Sequence, residues 1–125
     1  MSAKRILLID DEIDFTELAQ VALERGGDYE VKTLNDARGA SALAREFKPD
    51  LIVSDIVMPN MDGAELIREF KQDTELQKIP IIVMSALLNE NARAYKELGE
   101  FEIADVLEKP VKLGELRNHI QAAIG

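Results

Sequence analysis

The segment LIVSDIVMPNMDG, residues 51–63, decides the fold of this chain. Its apolar start predicts a buried strand, and that strand delivers the carboxylate of Asp55 directly into a turn containing proline and glycine. A carboxylate at the end of a hydrophobic strand costs free energy unless a charged partner meets it. The segment therefore predicts a strand end at which other polar groups converge.

The composition predicts a single domain over residues 1–125, with no output domain in this chain. At 125 residues the chain is long enough to bury a core. Hydrophobic residues make up 46%, with only seven glycines and four prolines, which excludes disordered and collagen-like classes. The sequence has no cysteine, which excludes disulfides, thiolate metal sites and cysteine catalysis.

Charge and hydropathy restrict the partners and the compartment. A net charge of −9 argues against direct nucleic-acid binding, because phosphate backbones attract basic surfaces. No apolar run approaches the roughly 18 residues of a membrane helix. The start, MSAKRILLIDDE, turns acidic too soon for a secretory signal. We therefore expect a soluble, cytoplasmic domain that acts on a protein partner and on neither nucleic acid nor membrane.

Short apolar runs alternate with amphipathic stretches along the chain. Strands are predicted over 5–10, 29–34, 51–55, 79–86 and 103–109, and helices over 13–25, 37–47, 63–72, 90–98 and 112–124. Such repeated βα units predict a parallel sheet with right-handed crossovers and helices on both faces. In the first helix, Phe15, Leu18, Ala19 and Ala22 are expected to form the apolar face.

The carboxyl ends of the predicted strands carry the candidate site, because ligands of open α/β sheets bind outside these ends. The first strand ends in Asp10-Asp11-Glu12, the third in Asp55, the fourth in Ser85 and the fifth in Lys109. The second ends in Leu34-Asn35-Asp36, which we interpret as ordinary turn material. Acids, a hydroxyl and an amine are thus expected at one edge of the sheet.

These residue types indicate phosphoryl chemistry around a hard cation. Neighbouring carboxylates repel each other by roughly 4 kcal/mol at 4 Å, and a divalent cation removes that repulsion. Oxygen ligands favour Mg²⁺ or Mn²⁺. Lys109 and Ser85 are suited to hold a phosphoryl dianion. Since the sequence has no glycine-rich phosphate loop, we expect the phosphoryl group on Asp55 itself.

Four motifs, in this order, resemble the receiver domain of bacterial two-component response regulators: LLIDDE (7–12), DIVMPNMDG (55–63), MSA (84–86) and EKP (108–110). The likeness covers essentially the whole chain. It implies a (βα)5 flavodoxin-like fold, a doubly wound parallel five-stranded sheet of order 2-1-3-4-5. It also implies a phosphorylation-dependent signalling switch, not an enzyme with a separate substrate.

The resemblance implies a metal site and its ligands. Asp10 and Asp11 match the acidic pair that positions Mg²⁺, with Asp11 the more direct ligand and Asp10 acting largely through water. Asp55 and the backbone carbonyl of Val57 match the remaining protein ligands.

The resemblance also assigns the phosphoryl-binding groups. Asp55 matches the phosphoacceptor, which takes a phosphoryl group from a sensor histidine kinase or a histidine phosphotransfer protein. Ser85 matches the switch hydroxyl and Lys109 the lysine that pairs with the phosphoryl group. The bond from Lys109 to Pro110 matches one that is cis in the family. The switch would regulate a downstream protein target or an output domain outside this chain.

The sequence departs from the family pattern near its fifth strand. Val106 stands where an aromatic residue usually acts as a rotameric switch, and 99–109 is about three residues longer than usual. Valine is stiff at χ1 and cannot swing as a ring does. We expect phosphorylation to survive, but coupling through this surface to be weaker or to use Tyr95 or Phe101 instead.

Plainer explanations exist for each site residue. Asp11 could merely charge the first turn of a helix, and Asp55 could be a turn acid. Ser85 could be a helix N-cap and Lys109 a solvated lysine. The single histidine, His119, is interpreted as a surface residue, not a phosphorelay histidine.

Other protein classes are less consistent with the sequence. A haloacid dehalogenase-type phosphohydrolase needs a second acid two residues after its nucleophile, where this chain has Val57. A pseudo-receiver, which binds partners without the chemistry, would have lost an acid or the lysine. An EF-hand beginning at Met58 lacks the first aspartate of the calcium loop.

Overall fold

The structure is a computed structural model. In the part of the chain that it describes, a parallel sheet lies at the centre and helices pack against it. The described residues are 3–58, 61–85 and 103–125, with the backbone alone at 57–58 and 61–64. The strands are β1 (Lys4–Ile9), β2 (Tyr29–Leu34), β3 (Leu51–Asp55), β4 (Val57–Met58), β5 (Met61–Asp62), β6 (Ile81–Ser85) and β7 (Asp105–Glu108). The helices are α1 (Ile13–Glu24), α2 (Ala40–Phe47), α3 (Gly63–Gln72) and α4 (Leu113–Ile124).

The sheet has five strands in the order β2-β1-β3-β6-β7, all paired in parallel. This confirms the predicted order 2-1-3-4-5 and the α/β class. The turn expected after β3 contains a small antiparallel ribbon, in which Val57 pairs with Asp62. The helix predicted over 90–98 lies outside the described residues.

Hydrophobic clusters lie on both faces of the sheet. Along β1, Leu7 and Ile9 join the cluster under α2 and α3, whereas Ile6 and Leu8 join the cluster under α1 and α4. The central strands β3 and β6 are buried at every position. Such burial explains why their sequences are continuously apolar rather than alternating.

The apolar face predicted for α1 is partly wrong. Ala19 is buried as expected, but Leu18 is 63% exposed, and the helix buries Thr16 and Leu23 instead. These buried positions are spaced three and four residues apart, so they form one stripe of the helix. Thr16 can belong to that stripe because its hydroxyl donates to a carbonyl in the same turn and accepts from Asn35.

The second helix begins later than the sequence predicts. α2 starts at Ala40 rather than at residue 37, after Gly39, whose φ is 78°. This left-handed conformation is easily adopted by glycine and interrupts a helix that would otherwise begin earlier. The shift leaves residues 35–39 in the connection that follows β2, next to the candidate site.

Candidate functional site

The carboxyl ends of β1, β3, β6 and β7 meet at one edge of the sheet. Asp55, the last residue of β3, lies opposite Met84 of β6. The Lys109 backbone N–H donates to the Ser85 carbonyl at 2.8 Å, which fixes the end of β7 against the end of β6. Sheet register therefore brings together the polar residues that the sequence placed at separate strand ends.

The ammonium of Lys109 lies among carboxylates from two strand ends. Its Nζ is 2.7 Å from Asp10 Oδ2 and 3.0 Å from Asp55 Oδ2. Glu12 Oε1 is 3.1 Å away, and the ring centroid of Phe15 is 5.8 Å away. The side chains of Asp10 and Asp55 are 0% and 6% exposed. A buried Asp55 carboxylate requires a charged partner, and the contact at 3.0 Å identifies Lys109 as that partner.

Burial and charge have opposing effects on these ionisable groups. Burial raises the pKa of the Asp10 carboxyl, against the opposing interactions with Lys109 and with the Glu12 backbone N–H. Burial also disfavours the charged form of Lys109. Together, however, its contacts with Asp10 and Asp55 outweigh that effect and raise the pKa of the amine above its ordinary value. Lys109 therefore stays protonated at neutral pH.

The acidic residues form a cluster that fits a hard divalent cation. One carboxylate oxygen from each of Asp10, Asp11 and Asp55 lies within 4.8 Å of the others. Asp11 is exposed, so one side of the cluster opens to solvent. Asp10 Oδ2 is buried and forms an ion pair with Lys109 Nζ at 2.7 Å. A donor set made of carboxylate oxygens alone suits Mg²⁺ or Mn²⁺.

Three other expectations concern the surroundings of the cluster. Ser85 is 0% exposed at the end of β6. Val57 lies in β4, two residues after Asp55. The peptide bond between Lys109 and Pro110 is cis, as the resemblance implied.

The sequence reading missed the part played by Asn35. Its amide donates to the Asp10 carbonyl and to Thr16 Oγ1, so the end of β2 contacts the loop that carries the acids. Asn35 lies in the bend after β2, as a turn residue would, but its side chain also holds the loop that carries the acids. The feature of the sequence that indicates this role is the position of Asn35 at the end of β2. That strand is the neighbour of β1, which leads to Asp10.

His119 does not lie at the site. It is on α4, and its Nδ1 contacts Asp105 Oδ2 at the start of β7. The side chain is 41% exposed, which agrees with a surface position. The pair links the last helix to the edge strand.

The family model for the response regulator receiver domain matches residues 6–121. The chain belongs to this family. Receiver domains are signalling domains, typically without enzymatic activity on other substrates, which histidine kinases phosphorylate and which regulate downstream targets. Within the described residues of this receiver domain, no helix has the length and hydropathy needed to cross a membrane.

Relatives of this receiver domain include proteins of similar and of greater length. Protein PilH of Pseudomonas aeruginosa is 34% identical over 121 residues, which are 96% of this chain and 97% of PilH. The alkaline phosphatase synthesis transcriptional regulatory protein PhoP of Bacillus subtilis is also 34% identical, over 97% of this chain and 48% of PhoP. The chain spans about half the length of such transcriptional regulators.

Solved structures share the fold. The chemotaxis response regulator CheY4 of Vibrio cholerae superposes with a TM-score of 0.85 at 26% identity, covering 98% of this chain and 99% of CheY4. A receiver domain of a signal transduction histidine kinase from Syntrophus aciditrophicus gives a TM-score of 0.84 at 31% identity, covering 98% and 90%. The likeness therefore extends over nearly the whole chain.

Proposed function

We propose that this receiver domain is a switch that accepts a phosphoryl group on Asp55. The observation that carries the proposal is the position of Lys109 Nζ, 3.0 Å from Asp55 Oδ2, beside a cluster of acids. In the phosphoryl-free protein the lysine balances the buried carboxylates. When a phosphoryl group is present, the same ammonium would balance the added negative charge.

The transfer is a substitution at phosphorus. An Asp55 carboxylate oxygen forms a bond to the phosphorus of a phosphohistidine, and the phosphorus–nitrogen bond breaks. Its electron pair stays on the imidazole, which takes up a proton from solvent. Hydrolysis of the acyl phosphate by water later regenerates the Asp55 carboxylate and releases inorganic phosphate. The domain turns over no separate substrate.

The acidic cluster would hold Mg²⁺ or Mn²⁺ through Asp10, Asp11, Asp55 and the backbone carbonyl of Val57. A bound divalent cation would offset the charge that develops on the phosphoryl oxygens during transfer. Asp10 and Asp11 are adjacent in the chain, so a single loop sets both acids relative to Asp55. The fit rests on the oxygen-only donors and on their spacing, with one carboxylate oxygen of each aspartate within 4.8 Å of the others.

Ser85 would form a charge-assisted hydrogen bond to the phosphoryl group and so report its arrival. The residue ends β6, and its carbonyl binds the Lys109 N–H at the end of β7. A change at Ser85 can therefore reach β7 through direct contact. The resulting change in the populations of two surface conformations would regulate a downstream protein or an output domain.

The phosphoryl donor would be a sensor histidine kinase or a histidine phosphotransfer protein. The helix that follows the acidic loop, α1, exposes two apolar side chains: Leu18 is 63% exposed and Val21 is 60% exposed. A cavity of about 270 Å³ is lined by Phe15 of the same helix together with Glu12, Lys109, Pro110 and Val111. Such a surface suits a protein donor, whereas the net charge of −9 disfavours nucleic acid. A cytoplasmic location is part of the proposal.

The proposal is tested by intact-mass spectrometry after incubation with acetyl phosphate, with and without Mg²⁺. We expect a single phosphoryl adduct that requires both Mg²⁺ and Asp55, so Asp55→Asn should give none. Asp36→Asn is the matched control, because Asp36 follows β2 and pairs with Arg38. It should be phosphorylated like the wild type.

A domain that accepts phosphoryl groups only from its own kinase would not react with acetyl phosphate. A beryllofluoride titration with Mg²⁺ therefore follows. Beryllofluoride imitates a phosphoryl group without needing a donor. Response to neither reagent would contradict the switch and favour a pseudo-receiver that binds partners through the fold alone. An adduct on Asp55→Asn would place the phosphoacceptor elsewhere.

A further inference from the structure

We propose that Asn35 is a positioning residue for the metal-binding acids, and that it acts by holding the backbone of Asp10. The inference rests on the proposed function, because it concerns the same metal site. Asn35 follows β2 and does not itself belong to the acidic cluster.

The side-chain amide of Asn35 has a defined orientation. Its Nδ2 lies 2.8 Å from the Asp10 carbonyl oxygen and 2.9 Å from Thr16 Oγ1. The Thr16 hydroxyl donates its one proton to the Ile13 carbonyl at 3.0 Å, so it must accept from Asn35. Both oxygens therefore require a donor at this position, and the amide nitrogen supplies its two protons to them.

The end of β2 holds the Asp10 backbone from both sides. The Asp10 N–H donates to the Leu34 carbonyl at 3.0 Å, and the Asp10 carbonyl accepts from Asn35 at 2.8 Å. The Asp10 carbonyl lies in the same planar peptide unit as the Asp11 nitrogen. The Asn35 hydrogen bond thus sets the direction in which the chain passes from the first acid to the second.

This restraint matters because the acids repel one another. Carboxylate oxygens of Asp10, Asp11 and Asp55 lie within 4.8 Å, and a loosely held loop would move apart to relieve the repulsion. Asp10 Oδ1 also accepts the Glu12 N–H at 2.9 Å, so the loop geometry continues through the second acid. Substitution of a group that orients a metal ligand without binding the metal itself commonly lowers metal affinity tenfold or more.

The test is a titration with MgCl₂ followed by two-dimensional amide NMR of the full chain. Asn35→Ala should raise the Mg²⁺ dissociation constant about tenfold. Asn35→Asp keeps the size and the turn preference but replaces the donor, so it should also weaken binding. The added charge would by itself tighten binding, which makes a loss informative. Arg38→Ala changes the same connection without contacting Asp10 and should match the wild type.

A purely structural role is separated by measuring chemical unfolding of the same variants. Loss of stability with an unchanged Mg²⁺ dissociation constant in both Asn35 variants would overturn the inference. If Asn35→Ala does not fold, Asn35→Ser decides by the same criterion, because serine keeps the turn preference, adds no charge and supplies one proton in place of two. Absence of Mg²⁺ binding in the wild type would overturn the proposed metal site itself, a result distinct from failure of the Asn35 inference alone.

Discussion

Lys109 Nζ lies within 3.1 Å of carboxylate oxygens from three residues, Asp10, Glu12 and Asp55. Its neighbours Asp10 and Asp55 are almost fully buried, and Glu12 approaches from the exposed side. Removing one member of a buried charge group typically destabilises a protein by several kcal/mol, because the remaining charges lose their partner. The lysine therefore has a structural role before any phosphoryl group arrives.

We expect Lys109→Met to lower the free energy of unfolding by about 3 kcal/mol in the absence of Mg²⁺. Methionine keeps the length of the side chain but leaves Asp10 and Asp55 without their cation. Added Mg²⁺ should recover part of the loss, since it would supply the missing positive charge. Urea unfolding with and without Mg²⁺ measures both effects.

The matched control is Lys112→Met. Lys112 is exposed, immediately before α4, and its substitution should change stability little. Equal stabilities for the Lys109 and Lys112 variants would contradict the structural role assigned to Lys109.

Individual residues show where sequence reasoning succeeds and where it stops. Asp10, Asp55 and Lys109 could be predicted because strand ends of a parallel sheet converge. The contact of Glu12 with Lys109 could not, since it depends on a side-chain direction that sequence spacing does not fix. Asn35 was missed for a similar reason, because turn residues are common and their hydrogen-bond partners lie on another strand.

At the scale of elements, α1 protects the open edge of the sheet. β2 is an edge strand, and its Val31 uses both backbone groups in bonds to this helix. Gln20 Nε2 donates to the Val31 carbonyl, and Glu24 Oε2 accepts its N–H. Free edges invite pairing with other chains, so these side chains reduce that hazard. Both residues fall in the helix predicted over 13–25, but their contact with Val31 depends on how that helix packs against the sheet.

A charged contact also joins α2 to the turn after α3. Asp73 accepts from the Glu75 N–H at 2.8 Å and pairs with Arg45 of α2. The hydrogen bond from the Glu75 N–H, followed by the interaction with Arg45, lowers the pKa of the Asp73 carboxyl. The ionised carboxylate thus caps the turn and links two elements on the same face of the sheet.

This contact predicts a pH dependence of stability. Because the folded pKa of Asp73 is depressed below the ordinary value of 3.8, its contribution is complete above that value and is lost as pH falls through the folded pKa. Asp73→Asn should therefore be less stable than the wild type at pH 7, with the difference shrinking below pH 3.8.

Urea unfolding of both proteins across this pH range measures the difference directly. Asp50→Asn provides a comparison, because the Asp50 carboxylate accepts from the Arg5 N–H and not from the turn after α3. A constant difference between the wild type and Asp73→Asn at every pH would contradict the assignment.

At the scale of the whole molecule, the α/β order followed from the alternation of apolar runs and amphipathic stretches. The sheet order β2-β1-β3-β6-β7 came from the family resemblance, since alternation alone allows several orders. The exposed α1 residue Leu18 shows the limit of periodicity, which identifies a helix more reliably than its buried face. Burial of a polar Thr16 depends on hydrogen-bond partners that only the assembled fold supplies.

In the whole molecule, β7 carries Val106, which is 37% exposed. Valine offers no ring that can exchange between buried and exposed positions, and its χ1 is stiff. We therefore expect beryllofluoride with Mg²⁺ to shift amide NMR signals strongly near Asp55 and Ser85, but weakly along β7. Relaxation dispersion on the same samples should show little exchange in that strand.

Val106→Phe is the informative variant, because it introduces the aromatic ring that the family resemblance led us to expect at this position. Its β7 signals should respond more strongly than those of the wild type, while the response at Asp55 stays the same. Reduced coupling in the wild type would mean that phosphorylation regulates partners mainly through surfaces nearer the site. A full-size response centred on Asp105–Glu108 in the wild type would contradict this, because valine would then transmit the signal as well as a ring does.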